Sequence, residues 1–246
     1  NSEIKTSPVV IDFNNDGNNE VIFGDKFGFV RMIDIYGNEI EDSVFPFDTG
    51  DEIWGSPAAG YIDGDNKVDL VITSKSKHVF VLDMDGEKLD YNANQFLIGT
   101  PALGNLDNDA DLEIVFGSYS SPGKVYAINI DGSNVDGFPI NLQRSQKGVA
   151  LSDFNDNGLD DIVIGTETDE VYLIYDDGSI APGFPYVTED KIRSAPSILN
   201  LGDSLLIVVG SKDGNLYAIN EDGSLRFSFE SDDDIYTWNY IDYATA

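Results

Sequence analysis

Four short loops of this chain place oxygen-bearing side chains at alternate positions, a spacing that lets them converge on one cation. The first is Asp12-Phe13-Asn14-Asn15-Asp16-Gly17-Asn18-Asn19-Glu20, with oxygens at its first, third, fifth and ninth positions and glycine at its sixth. Alternate ligands on a tight turn point inward together, and glycine permits the sharp bend. The seventh residue, Asn18, would contribute its backbone carbonyl. Hard oxygen donors without histidine or cysteine favour calcium over zinc or copper. An EF-hand opens the same way, but its closing acid stands at the twelfth position between two helices. Here the acid stands ninth and opens a strand.

The other loops vary this theme. Loop 105–113 offers Asn105, Asp107, Asp109 and Glu113, with Ala110 in place of the glycine and Asp111 at the carbonyl position. Loop 153–161 offers Asp153, Asn155, Asn157 and Asp161, keeps Gly158, and has Leu159 at the carbonyl position. Loop 61–69 offers Asp63, Asp65 and Asp69 with Lys67 at the carbonyl position, but Tyr61 stands first, so weaker binding is expected there. A fifth loop, Asn200 to Ser204, is shortened and lacks the closing acid, so no metal is expected. Asp, Asn and Gly also favour solvated turns, but recurrence at equivalent positions points to three or four calcium sites.

What must position these loops is a repeat. The segments starting at Val30, Val79, Val125, Val171 and Leu216 match one another at spacings of 49, 46, 46 and 45 residues. An Asp-Gly pair follows most of them, as at Asp85-Gly86, Asp131-Gly132, Asp177-Gly178 and Asp222-Gly223. Asp-Gly between β-rich runs marks a hairpin, because glycine accepts positive φ. Upstream of each segment lies a second apolar run, such as Glu20 to Gly24. Upstream again is a short run entered by a small residue, usually before proline, as at Ser7-Pro8, Ser56-Pro57 and Thr100-Pro101. A poorer fourth strand follows the turn, often ending in Phe-Pro. No helical periodicity competes.

Four short antiparallel strands per unit is the arithmetic of a β-propeller blade; an irregular sandwich or a solenoid is the other packing to consider. The expected fold is all-β: five four-stranded antiparallel blades in one domain over residues 1–246, with repeats near 5–52, 53–97, 98–145, 146–191 and 192–230. The partial sixth repeat 231–246 supplies an extra strand. A closed ring with the first and fifth blades in contact is expected, because an open ring leaves apolar faces in water. The alternative is a fragment of a six- or seven-bladed propeller.

Composition narrows the function. The 45 acidic and 14 basic residues give a formal net charge of -31, which argues against nucleic acid and anionic membrane as partners. With 41% hydrophobic and 11% aromatic residues there is material for a core. No apolar run is long enough to insert into a membrane. The chain has no cysteine, so disulfides and thiol catalysis are excluded. It opens on Asn1 without a leader-like segment, as a mature or trimmed fragment would.

The run Ser7-Pro8, Asp12, Asn14, Asp16-Gly17, Glu20-Val21 and Gly24 resembles the FG-GAP/VCBS repeat of integrin α chains and many secreted bacterial surface proteins. The resemblance covers residues 5–230. It implies a propeller holding calcium in the loops between its first and second strands, a secreted or cell-surface location, and a role in adhesion.

In a propeller those loops share one face with the turns between third and fourth strands. The opposite face collects ten of the fourteen Lys and Arg residues. The residue entering each first strand is Lys5, Trp54, Ile98, Gln146, Arg193 or Tyr236, and these are expected round the axial opening. Lys5, Trp54, Gln146, Arg193 and Tyr236 are the candidate contacts for a protein or glycan ligand, with Trp54 beside Tyr236 able to stack on a sugar ring. Inter-blade packing would also account for these aromatics. His78 has neither a second histidine nor a serine–acid spacing, so it suggests no metal site or triad. The leading reading is a non-catalytic calcium-binding adhesion or ligand-binding module. The alternatives are the propeller of a carbohydrate-active enzyme such as a polysaccharide lyase, which needs a deep axial cleft with convergent acids and bases, or a structural spacer.

Overall fold

The structure, a computed structural model, describes residues 2–231. The expected extra strand and Tyr236 therefore lie outside the described residues.

Those residues form a β-propeller of five four-stranded antiparallel sheets, with no helix among them. The first blade contains β1 (Val9–Ile11), β2 (Glu20–Gly24), β3 (Phe29–Ile33) and a fourth strand split into β4 (Glu39–Ile40) and β5 (Phe47–Asp48), both paired with β3. The second contains β6 (Ala58–Gly60), β7 (Asp69–Thr73), β8 (His78–Asp83) and β9 (Gly86–Asn92). The third contains β10 (Ala102–Gly104), β11 (Glu113–Gly117), β12 (Gly123–Ile128) and β13 (Ile140–Leu142). The fourth contains β14 (Ala150–Ser152), β15 (Asp161–Gly165), β16 (Glu170–Ile174) and β17 (Tyr186–Val187). The fifth contains β18 (Ser197–Asn200), β19 (Leu205–Gly210), β20 (Asn215–Asn220) and β21 (Leu225–Glu230).

The first strand of every blade lines one axial cavity. A ladder of hydroxyls sets the step between the first blades. Ser7 N–H donates to Ser56 Oγ at 2.8 Å, and Ser56 N–H donates to Thr100 Oγ1 at 3.0 Å. This gives the small residue before proline a physical reason.

Successive side chains of a strand point to opposite faces, and the middle strands are apolar on both, so each sheet presents one face to the preceding blade and one to the next. Four hydrophobic cores result, between consecutive blades. Ile22 and Met32 meet Leu70 and Ile72; Val71 and Val81 meet Ile114 and Phe116; Val115 and Ala127 meet Ile162 and Ile164; Val163 and Leu173 meet Ile207 and Val209. All sixteen are essentially solvent-free.

The expected contact between the first and fifth blades has no such core behind it among the described residues. In β2 burial alternates, with Val21 and Phe23 only half-buried, whereas β7, β11 and β15 are buried at every position. On the outer side of the fifth blade, Phe227 and Phe229 are 49% and 63% exposed.

The two rims are as expected. In every blade an N–H of the second-to-third-strand connection donates to a carbonyl of the entering segment. The pairs are Lys26 to Glu3, Lys75 to Glu52, Tyr119 to Phe96, Glu167 to Arg144 and Lys212 to Lys191, at 2.7–3.0 Å. The oxygen-rich loops occupy the other rim.

Candidate metal centre

The four oxygen-rich loops share one scaffold. Their closing acid is the first residue of the second strand, and its side chain turns back into the loop. There one carboxylate oxygen accepts the N–H of the loop's second residue: Glu20 from Phe13 at 2.9 Å, Asp69 from Ile62 at 3.0 Å, Asp161 from Phe154 at 2.8 Å, and Glu113 from Leu106. Phe13, Ile62, Leu106 and Phe154 are all buried and anchor the loop in the inter-blade cores. The four acids are buried too. A buried carboxylate is tolerated only when paired, hydrogen-bonded or bound to a metal, so the partner of the second oxygen distinguishes the loops.

In the third loop the second oxygen has none. Glu113 Oε1 and Asn105 Oδ1 are buried and make no hydrogen bond. Carboxylate oxygens of Asp107, Asp109 and Glu113 all lie within 4.8 Å of one another. Burial pushes the Glu113 carboxyl up to about 7, and the negative charges of Asp107 and Asp109 add to the rise. Three carboxylates around one point, one of them with an orphaned buried oxygen, form a donor set that fits a hard cation. Adjacent blades brace it: Asp160 N–H donates to the Asn105 carbonyl at 2.7 Å, and Asn105 N–H donates to the Asp160 carboxylate at 3.1 Å.

The first and fourth loops are closed by their own amides. Asp12 accepts the N–H groups of Asp16 and Gly17, and Asp153 accepts those of Asn157 and Gly158. Asn14 Oδ1 and Asn155 Oδ1 accept the same Asp16 and Asn157 amides. The fifth-position side chains accept in turn from Asn18 and Leu159 N–H. Residues at the fourth and sixth positions are left-handed: Asn15 (φ 58°) and Gly17 (91°), Asp156 (57°) and Gly158 (90°). The second loop shares this with Gly64 and Asn66; the third, where Ala110 stands sixth, does not. In the fourth loop the second oxygen of Asp161 accepts Asp176 N–H at 3.0 Å, and burial still lifts this carboxyl to about 6. The first loop does not bring Asp12, Asp16 and Glu20 together as closely as the third brings its acids.

The second loop does bring Asp63, Asp65 and Asp69 within 4.8 Å of one another. Between them sits Lys88 of β9, a residue outside the loop, with Nζ 2.6 Å from Asp63, 2.8 Å from Asp69 and 3.3 Å from Asp65. Lys67, whose N–H donates to Asp65, extends its ammonium to Asp83 and Asp85. In the fifth loop the second residue, Leu201, donates its N–H to the Ser204 carbonyl at 2.9 Å instead of to a closing acid, and Glu221 accepts Leu205 N–H. Lys88, Asp160 and Glu221 escaped the sequence reading because none belongs to the loop spacing.

On the opposite rim, Lys5 Nζ lies 3.7 Å from the centre of the Trp54 ring, and Lys75 Nζ lies 4.8 Å from it. Trp54 Nε1 donates to Glu52 at 2.6 Å, and Lys75 pairs with the same carboxylate at 2.9 Å. Arg193 grips Glu167 through two N–H groups, at 2.8 and 3.1 Å, while Arg144 and Lys191 stand 3.9 and 3.8 Å away. The Glu167 carboxylate is fully buried. Gln146 is half-buried and Ile98 buried. None of Lys5, Trp54, Ile98, Gln146 and Arg193 lines the axial cavity, because the strands reach the axis two residues later, at Ser7, Ser56, Thr100, Gly148 and Ala195. Among the described residues the cavity, about 870 Å³, is walled by Pro, Ala, Val, Ile, Leu, Ser, Gly, Thr100 and Asn200, with Asp160 the one ionisable residue lining it.

No family model and no curated protein sequence matches the chain. Solved structures do. The biofilm matrix protein Bap1 of V. cholerae superposes with a TM-score of 0.69 at 20% identity, over 94% of this chain and 40% of that one. BBS1N, solved in complex with ARL6DN, gives 0.67 at 13% identity over 93% and 69%. The Pseudomonas aeruginosa PilY1 C-terminal domain gives 0.63 at 16% over 85% and 60%. At these identities the likeness is one of fold. The chain spans well under half the length of the Bap1 chain.

Proposed function

We propose that this chain is a calcium-stabilised propeller of the FG-GAP/VCBS type, working as an adhesion or ligand-binding module of a secreted or cell-surface protein. The observation that carries the calcium reading is the orphaned, buried Glu113 Oε1 of a carboxylate grouped with Asp107 and Asp109; Asn105 Oδ1, at the head of the same loop, is a second buried acceptor without a donor. A buried acceptor without a donor costs ~1–3 kcal/mol, and an oxygen-preferring cation is the partner that removes that cost. The first and fourth loops carry the same donor types and would contract around a cation by giving up their internal amide bonds. Extracellular millimolar calcium suits sites with dissociation constants of about 0.1–1 mM.

The ligand-binding half of the reading rests on the opposite rim, where Lys5, Trp54, Lys75 and Glu52 form one polar–aromatic cluster, and Tyr119, Arg144, Glu167 and Arg193 form another. A protein or glycan ligand is assigned there. Extracellular or surface placement is supported by the likeness to the biofilm matrix protein Bap1, and a protein partner by the likeness to BBS1N, solved in complex with ARL6DN. The carbohydrate-active alternative wants convergent acids and bases at the axis; one ionisable lining residue disfavours it. Binding to glycan and protein arrays, with and without calcium, tests this reading. Calcium-dependent binding that Trp54→Ala weakens about tenfold is expected, and turnover of a polysaccharide would contradict it.

A further inference from the structure

We propose that the second loop carries its own cation: the Lys88 ammonium fills the place a metal would take, so this loop binds no calcium. An ammonium has three N–H donors, and each of Asp63, Asp65 and Asp69 offers it an oxygen, at 2.6, 3.3 and 2.8 Å. Asp69 Oδ1 is the counterpart of the orphaned Glu113 Oε1, and here it has a donor. The lysine stands two residues after the turn glycine Gly86. At the same step from Gly37, Gly132, Gly178 and Gly223 stand Glu39, Asn134, Ile180 and Leu225, none of them basic. Only this blade has a lysine at that step, and only this loop has lost its first-position oxygen, to Tyr61. An ammonium needs fewer ligands than calcium, which takes six to eight oxygens, so the two departures fit together. Lys67 adds a second positive charge beside Asp65, Asp83 and Asp85.

The consequence is a fixed inequality among blades. The second is clamped at any calcium concentration, while the third depends on the ion. This inference rests on the calcium reading of the other loops, and the test separates the two. Calcium stoichiometry would be measured by titration calorimetry on the native chain, on Asp65→Asn and on Lys88→Gln. Asp65 is a third exposed, so its isosteric replacement leaves folding intact. The native chain and Asp65→Asn should bind the same number of ions, and Lys88→Gln one more. Loss of one ion in Asp65→Asn, or no gain in a folded Lys88→Gln, would overturn the inference.

If the native chain binds no calcium at all, the reading of the other loops falls while the lysine is still tested. Acylation of surface amines in chelator should modify Lys88 at least tenfold more slowly than Lys124. Equal rates would overturn the seating of Lys88.

Discussion

Asn105 Oδ1 and Glu113 Oε1, the first and last oxygens of one nine-residue loop, are both buried and both without a hydrogen-bond donor. The two positions open and close the donor spacing, and Glu113 belongs to the carboxylate cluster with Asp107 and Asp109. Glu113→Gln should stabilise in chelator and lose that advantage in calcium. In chelator the amide removes a buried charge beside Asp107 and Asp109 and should stabilise by ~1–2 kcal/mol. With about 1 mM calcium and a dissociation constant of about 0.1 mM, the native loop gains ~1.4 kcal/mol by linkage, which offsets most or all of that difference. Thermal melts of both proteins in both buffers check this; a stability difference that calcium leaves unchanged would contradict it.

The acid dependence in chelator should run against the usual direction. The Glu113 carboxyl rises from 4.5 to about 7 and that of Asp161 from 3.8 to about 6 on folding. Folding then takes up protons between these values, so their contribution is full below the unfolded values and is lost as pH rises through about 6–7. Denaturant melts from pH 5 to pH 8 should show the contribution of these groups falling, by at most ~3 kcal/mol for Glu113. Glu113→Gln should flatten that slope.

Arg193 should matter first for the fold. Its two N–H groups hold the buried Glu167 carboxylate, and Arg144 and Lys191 are too distant to replace them fully. Arg193 is itself a quarter exposed, which tempers the cost. Arg193→Leu should destabilise by ~2 kcal/mol, and Arg193→Lys, which keeps the charge but not the fork, by about half as much. Urea melts of the two variants measure this.

Gly183 tests the join between the fourth and fifth blades. Its φ is +89°, and a Cβ there would lie 2.0 Å from the Asp222 carbonyl oxygen. The obstacle is backbone, so no side chain can swing aside. Gly183→Ala should cost ~2 kcal/mol or more, from strain and displacement together. An unchanged melting temperature would show that the two turns do not pack this closely.

The blades were legible in the sequence because they are written in local period. Glu20–Gly24, Asp69–Thr73, Glu113–Gly117 and Asp161–Gly165 are strands with the bounds their spacing predicts. The oxygen-rich loops were legible for the same reason. What the spacing could not carry is the identity of each loop's counter-charge. Lys88 lies on the fourth strand and reaches Asp69 only because β7, β8 and β9 pair in register. The spacing shows that the inner strands have two packing faces; it does not say what covers the outer faces of the first and fifth blades. Lys5, Trp54, Gln146 and Arg193 stand two residues before the strands reach the axial cavity, a step that the hydroxyl ladder marks at Ser56.

The most direct test of the calcium account is titration calorimetry on the metal-free native chain beside Glu113→Gln and Asn105→Ala. Saturable binding at submillimolar calcium is expected in the native chain. Each substitution should remove one equivalent or weaken it at least tenfold. Isotherms that superpose across all three proteins, or no binding up to several millimolar calcium, would contradict it.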